Sequence, residues 1–327
     1  MTIRVLSSAD VRAAINVEEA IESMADAFTQ LAAGTATVPQ RQQLVSAAGT
    51  TLVMPAWLHR GEQLGTKLVS IFPGNHAAGL PAIHGIVIML DGETGRPWGV
   101  LDGTELTALR TAAGSALAAR HLAPTGASTL ALFGAGPQAR AHVEAFLAVR
   151  PIAEIRIVSR GGESARRLAD EINRRFGARL TARDVRDPAE AVHGADLIVA
   201  ATTSETPVFD GRELEAGVHV TGVGSFRPTM QEIDANVVCR ARVVVDTREG
   251  ALAEAGDLIR PLAAGLIGED HIAAQLGDIV SGACPGGADG HELTFYKSVG
   301  NAAQDVAIAG SILDAADRQG LGTVCAF

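Results

Sequence analysis

The stretch "ALFGAGPQAR", residues 131–140, constrains the fold more than any other part of the chain. An apolar run over 128–133 enters Gly134-Ala135-Gly136, and a segment suited to open a helix leaves from Pro137. The pattern is G-x-G-x-x-A, with Ala139 in the third place. In a strand–turn–helix unit the first glycine permits the tight turn. The second lets a pyrophosphate approach the backbone, and the third small residue lets helix and strand pack closely. Pro137 suits a first helical turn, where an N–H has no helical partner. A helix start also offers free N–H groups and a positive dipole end to phosphates. A bare loop of this kind is equally a structural turn. Its setting, with a strand before it, a helix after it and a second strand ending at Ser159, favours a dinucleotide site.

The second strand is informative for what it lacks. NAD-selective sites place Asp or Glu about 20 residues after the loop, where it bonds the ribose hydroxyls. Here the strand ends Val158-Ser159-Arg160. A hydroxyl and a guanidinium suit a 2′-phosphate, so NADP(H) is expected over NAD(H). The competing reading makes Arg160 a solvated loop residue and gives the ribose to Glu163.

Around the loop the chain changes rhythm. From about residue 127, "STLALF", "EIRIVS", "RLTARD", "ADLIVAAT", "VHVTGV" and "RVVVD" are short apolar strand candidates, several of them separated by helical or polar segments. Such alternation predicts a parallel sheet covered on both faces. The first part reads differently. Residues 17–33 form an amphipathic helix with Ile21, Met24, Ala25 and Phe28 on one stripe, ended by Gly34. The runs "TLVMPAWL", "LGTKLVSIF", "AIHGIVIMLD" and "PWGVLD", joined by short turns, predict an antiparallel meander. A helix over 105–122 follows, with Thr104 as candidate N-cap and Pro124 beyond its end, and a last helix from 299 closes at Gly320. The class is therefore α/β: a Rossmann-type doubly wound parallel sheet, preceded by an antiparallel meander with its helices.

Bulk properties narrow the partners. A chain of 327 residues, 47% apolar and 20% charged, suits two packed globular domains. A net charge of −10 without a Lys/Arg block argues against nucleic acid and anionic membranes. Cys239, Cys284 and Cys325 are scattered and form no CxxC, which fits a reducing cytoplasm. The N-terminus begins no signal peptide, and no apolar run nears the ~20 residues of a membrane span. The nine histidines form no HExxH or paired spacing, so no metal site is expected.

Two basic residues occupy apolar places. On a helix Arg110 shares a face with Leu106, Ala113 and Leu117. A buried guanidinium is costly without a partner, so either an internal carboxylate satisfies it or it meets an anionic substrate. Lys67 shares a strand face with Val69 and Ile71, although an edge lysine reads the same way. Arg41, in "VPQRQQL", reads as a surface loop residue. His84, among Ile83, Ile86 and Ile88, reads by itself as a satisfied core histidine.

With "LGTKLVSIFPGN", "GLPAIHGIVIMLDGETGRPWGVLDGTELTALRTAA", "LFGAGPQARAH", "TGVGSFRPTMQEID" and "LTFYKSVGNAAQD", the chain resembles the ornithine cyclodeaminase/mu-crystallin family over nearly its whole length. The resemblance implies a homodimer. Each subunit would have a discontinuous α+β substrate-binding and dimerisation domain, residues 1–125 with 299–327, and a Rossmann domain, 126–298. It places the substrate carboxylate on Arg41, Lys67 and Arg110. Cofactor contacts would fall on His84, Gly134, Ala135, Gly136, Pro137, Gln138, Ser159, Arg160, Thr202, Val223 and Ser298. The family includes cyclodeaminases of ornithine and lysine, an alanine dehydrogenase, ketimine reductases, and members that bind small molecules.

One position departs from the deaminating branches, which carry an aspartate two residues before the proline where this chain has Phe226-Arg227-Pro228. Deaminating a free amino acid needs a carboxylate near the amine. Without it a preformed cyclic imine is the easier substrate. The expected reaction is NADPH-dependent reduction of 1-pyrroline-2-carboxylate or 1-piperideine-2-carboxylate to L-proline or L-pipecolate. Arg110 and Arg41 would clamp the carboxylate. Lys67 would hold it too or supply the proton, and Phe226 would form part of an apolar wall. The alternatives are an amino-acid cyclodeaminase or dehydrogenase using NAD, and a small-molecule binder with little catalysis.

Overall fold

A computed structural model describes residues 2–287 and 292–326. The chain divides into two compact units, Met1–Arg110 with Asn301–Phe327, and Thr111–Gly300.

The first unit is built on a mixed sheet of eight strands. Its order runs Thr323–Ala326, Thr2–Leu6, Pro97–Asp102, Ile83–Asp91, Gln63–Ile71, Thr50–Leu58, Ala36–Thr37, with Gln42–Val45 also paired to Thr50–Leu58. The four expected runs do form a meander, each antiparallel to the next. The four other, shorter strands, Ala36–Thr37, Gln42–Val45, Thr2–Leu6 and Thr323–Ala326, were not expected. Thr2–Leu6 pairs parallel with Pro97–Asp102, and Thr323–Ala326 pairs antiparallel with Thr2–Leu6.

One face of this sheet, with Met54, Ala56, Leu58, Val87, Met89 and Leu101, is buried. The helices Val17–Ala32 and Ala302–Gln319 belong to the same unit, and the second packs on the three central strands. Asn16 caps the first of these helices and Glu19 bonds back to it, while Ala20, Ile21, Met24, Ala27 and Phe28 are its buried stripe. Gly65 sets how closely the last helix approaches. A Cβ there would meet Met89 Sδ at 2.6 Å and Val306 Cγ2 at 3.2 Å. The helix Gly103–Leu122 starts earlier than expected. Asp102, not Thr104, caps it, because the Asp102 carboxylate accepts from the Glu105 N–H (2.7 Å) while Thr104 lies inside the helix.

The second unit holds an eight-stranded, all-parallel sheet in the order Thr181–Asp184, Glu154–Val158, Thr129–Phe133, Leu197–Ala200, His219–Gly222, Thr294–Lys297, Arg242–Val245, Ile272–Gln275. The six expected strands are present. Thr294–Lys297 and Ile272–Gln275 are additions, and the former inserts between two strands that precede it in the chain. The first five strands in chain order stand 3-2-1-4-5, so their order reverses between Thr129–Phe133 and Leu197–Ala200. The C-terminal half of the Gly103–Leu122 helix belongs to this unit. Ser115 Oγ bonds His142 Nε2 (2.9 Å), and Arg150 donates to the carbonyls of Ala119, Arg120 and Ala123 at its end. Among the described residues no helix is long and apolar enough to cross a membrane.

Two histidines lie in this core. Burial lowers His142 from 6.5 to about 4 and His219 from 6.5 to about 3. The unfolded chain therefore takes up protons first as the pH falls. Each histidine withdraws about 1.4 kcal/mol of stability per pH unit between 6.5 and its folded value. Thermal melts from pH 7 to 4.5 should show a steady loss, shallower in His142→Gln. Equal slopes in both proteins would mean that this histidine does not set the dependence.

Candidate active site

Lys67 and Arg110 meet on one carboxylate. Lys67 stands in the middle of the first unit's sheet, paired to Met54 on one side and Val87 on the other, and is 2% exposed. It is not an edge lysine. Arg110, on the Gly103–Leu122 helix, is 6% exposed, with Leu106, Ala113 and Leu117 buried on its face. Asp305, in the first turn of the Ala302–Gln319 helix and fully buried, pairs with both. Its Oδ2 lies 2.6 Å from Lys67 Nζ and its Oδ1 3.0 Å from Arg110 Nε. Arg110 also donates to Gln304 Oε1 (3.1 Å), which in turn accepts from the Asn301 N–H and closes that helix's capping box. Thr107 Oγ1 is 3.5 Å from Lys67 Nζ.

So an internal carboxylate does satisfy Arg110, but it is shared. Two buried cations face one buried anion, which leaves a net positive charge in a place of low dielectric. Burial draws Lys67 down from 10.5 to about 8. Asp305 opposes the shift, while Arg110 and then Arg41 add to it. Arg41, half-buried just before the Gln42–Val45 strand, is thus close enough for its charge to reach Lys67. Asp305 was not singled out in the sequence, although the signal was there: a lone acid in "NAAQDVAIAG", on the apolar face with Ala302, Val306 and Ala309. His84 is exposed on its strand, opposite Ser70, and is not a core histidine. Ile86, two residues along on the same face, is exposed as well.

The second unit carries the glycine loop at the carboxyl end of Thr129–Phe133, beside the reversal of strand order, where open α/β sheets bind ligands. Gly134 has φ +110°, and a Cβ there would lie 2.4 Å from the Ala201 carbonyl oxygen. Gly136, by contrast, has open space where its Cβ would be, and it begins the Pro137–Leu147 helix with no side chain capping it. Ala139 is fully buried against the sheet. Gln138 Oε1 is buried and has no hydrogen-bond partner among the described residues. An open approach to the backbone and uncapped N–H groups fit a diphosphate-bearing cofactor.

At the next strand Ser159 Oγ accepts from the Ala165 N–H (3.1 Å) and from Ser164 Oγ (2.9 Å), which shapes the turn into the Glu163–Phe176 helix. Arg160 is exposed. A second guanidinium, that of Arg186, lies against Gly162, where a Cβ would meet its Cζ at 2.3 Å. Glu163 is paired with Arg167 (3.1 Å). Across the reversal, Thr202 N–H donates to Glu232 Oε1, Val223 N–H donates to the Ala200 carbonyl, and Ser298 Oγ donates to Asp246 Oδ2. Phe226 is half-buried with the Arg227 guanidinium over its ring. Among the described residues, no three His, Cys, Asp or Glu side chains gather as metal ligands.

A doubly wound sheet with a glycine loop at its switch point, joined to a mixed-sheet unit that holds a buried cationic cluster, defines a Rossmann-type α/β protein. Comparison with known proteins makes the assignment specific. The model of the ornithine cyclodeaminase/mu-crystallin family matches residues 1–320, and the chain belongs to that family. It is 40% identical over 326 residues to a Delta(1)-pyrroline-2-carboxylate reductase of Bacillus cereus, covering 99% of each chain. The Thermococcus litoralis Delta(1)-pyrroline-2-carboxylate reductase, solved with NADH and L-proline, is 35% identical. It superposes with a TM-score of 0.93 over 98% of this chain and 99% of that one. An archaeal alanine dehydrogenase dimer with bound NAD is 30% identical, with a TM-score of 0.93 over all of both chains.

Asp305→Asn keeps the shape and removes the charge, leaving Lys67 and Arg110 buried without a carboxylate. The loss should be about 3–5 kcal/mol of unfolding free energy, read by urea titration. A loss below about 1 kcal/mol would show that the two cations are relieved by other groups.

Proposed function

We propose that the protein reduces a cyclic ketimine carboxylate, 1-pyrroline-2-carboxylate or its six-membered homologue, to the L-imino acid with NADPH. The observation that carries this is the charge count at Asp305: Lys67 and Arg110 share its one carboxylate, and no second ion-pair partner is seen for either among the described residues. An α-carboxylate supplies it, and Arg110 matches a carboxylate in two-point geometry. It is an oxidoreductase acting on the C=N bond, in line with the names of its relatives. The first unit is the substrate and dimerisation domain, and the second holds the cofactor.

The chemistry follows from the side chains. Arg110 and Arg41 orient the ring through its carboxylate. Lys67, charged below about pH 8, stands ready to give a proton to the ring nitrogen. A bound nicotinamide supplies the hydride for C2. Gly134, Ala135, Gly136, Pro137 and Gln138 hold the diphosphate, with Thr202, Val223, Ser298 and His84 as further cofactor contacts. Phe226 offers an apolar surface where deaminating relatives have an aspartate, so a free amino acid finds no carboxylate to orient its amine. A second copy of the chain covers the open face of the mixed sheet, where Trp57 and Ile86 are 37% and 43% exposed.

The purified protein should oxidise NADPH steadily with 1-pyrroline-2-carboxylate and release little ammonia from ornithine. Its kcat/KM should fall as the pH rises through about 8, where Lys67 loses its proton. Robust conversion of ornithine to proline would replace this reading with a cyclodeaminase, and absence of turnover would leave a binding protein.

The preference for NADPH rests on Arg160, with Arg186 against Gly162 in the turn that follows and no acid at the strand end. Arg160→Ala should weaken NADPH by about 1.5–3 kcal/mol, roughly 10- to 150-fold, and NADH far less. Equal effects on the two cofactors would show that Arg160 does not read the phosphate.

A further inference from the structure

Glu232 is fully buried, and three backbone N–H groups end on it. Its Oε1 accepts from Thr202 (2.5 Å), and its Oε2 accepts from Gly224 (2.5 Å) and Ser225 (2.9 Å). These donors belong to two loops. One follows the strand Leu197–Ala200 and the other follows its parallel neighbour His219–Gly222. A single carboxylate therefore ties together the carboxyl ends of two adjacent strands.

The packing around it is as tight as the bonding. A Cβ on Gly224 would lie 2.0 Å from the Thr202 carbonyl oxygen and 2.6 Å from each Glu232 oxygen. The 201–202 segment in turn abuts the glycine loop, since a Cβ on Gly134 would lie 2.4 Å from the Ala201 carbonyl oxygen. Glu232 is itself held from behind. Its N–H and that of Ile233 donate to Asp257 Oδ1, and Asp257 Oδ2 lies 3.0 Å from Lys297 Nζ, with both of these side chains fully buried. Burial pushes the Glu232 carboxyl up, and Lys297 opposes that shift.

The position of the two loops gives this arrangement a function. In a doubly wound sheet the dinucleotide lies across the switch point, one half on each side. Ser159 and Arg160 mark the adenosine side, so the loops at 201–204 and 223–225 lie on the other side. We propose that Glu232 is a positioning residue for the nicotinamide half of the cofactor, holding the backbone of Thr202 and Val223 in the shape that half requires. The inference rests on the dinucleotide reading given above. It needs a carboxylate in particular. Glutamine offers one acceptor oxygen and turns an NH2 toward N–H donors, which releases one of the two loops. Aspartate keeps the charge but is one methylene too short to reach both.

The test compares NADH, which has both halves, with ADP, which has only the adenosine diphosphate half. In Glu232→Gln the Kd for NADH should rise about tenfold or more, the loss expected from charge-assisted hydrogen bonds. The Kd for ADP, by calorimetry, should change less than about threefold, and Glu232→Asp should fall between wild type and Gln. Equal weakening of NADH and ADP, or unchanged NADH affinity in the folded protein, would overturn the proposal, because a merely structural carboxylate gives one or the other. Should both variants fail to fold, amide hydrogen exchange of the wild type decides. NADH, and not ADP, should slow exchange in peptides spanning 201–204 and 223–226, and equal protection by both would overturn it. If wild-type protein binds neither NADH nor NADPH, the dinucleotide reading itself fails. Binding by the wild type with no discrimination in the variants defeats the Glu232 assignment alone.

Discussion

Asp305, taken out of water between Lys67 and Arg110, is the interaction on which the first unit is organised. Each of the three ions would be strongly disfavoured alone in that interior. Their pairing joins a central strand, the Gly103–Leu122 helix and the Ala302–Gln319 helix, segments drawn from opposite ends of the chain. Gly65 lets the last helix come down far enough on the sheet for the carboxylate to arrive beside the ammonium. The result is a stable but unbalanced group, two cations to one anion. That imbalance is tolerable because Arg110 also donates to the neutral Gln304 and because burial has already weakened the hold of Lys67 on its proton. A chain selected only for stability would gain by replacing such a cluster with apolar side chains. The anionic substrate proposed above would balance it.

The second unit solves a different problem. A parallel sheet sends every loop at one edge out with unpaired N–H groups, and buried ones must find acceptors. Buried carboxylates serve this need. Glu232 takes the loops after Leu197–Ala200 and His219–Gly222, and Asp246 takes Ser298 Oγ and the N–H groups of Val299 and Gly300. The loop at Gly134–Gln138 is handled in the opposite way, with its helix start uncapped and Gly136 open. Fixed loops around an open one are what a preorganised phosphate site requires.

Local chemistry was legible in the sequence wherever it depended on neighbours in the chain. The glycine loop, the meander, the helix with Ile21, Met24 and Phe28 inside, and the terminal helix closed at Gly320 (φ +68°) all follow from period, cap and turn residues. The apolar company of Arg110 and Lys67 was visible for the same reason. Short end strands such as Thr2–Leu6 and Thr323–Ala326 were not, since four or five half-exposed residues carry too little alternation to separate from loop. His84 was misjudged because isoleucine neighbours imply burial only if the sheet face they lie on is covered within the same chain.

What the sequence by itself determined is therefore the kind of element at each place and the presence of basic residues where apolar ones belong. Only the tertiary structure decided which carboxylate answers them. Asp305 lies 195 residues from Arg110 in the chain, and no periodicity links positions that far apart. The same holds for Glu232 and the loops it ties, whose donors are backbone N–H groups that every residue but proline carries. A bond to the main chain leaves no mark in residue identity beyond the acid itself. Its partners are set by which strands lie side by side, and that order is a property of the folded sheet.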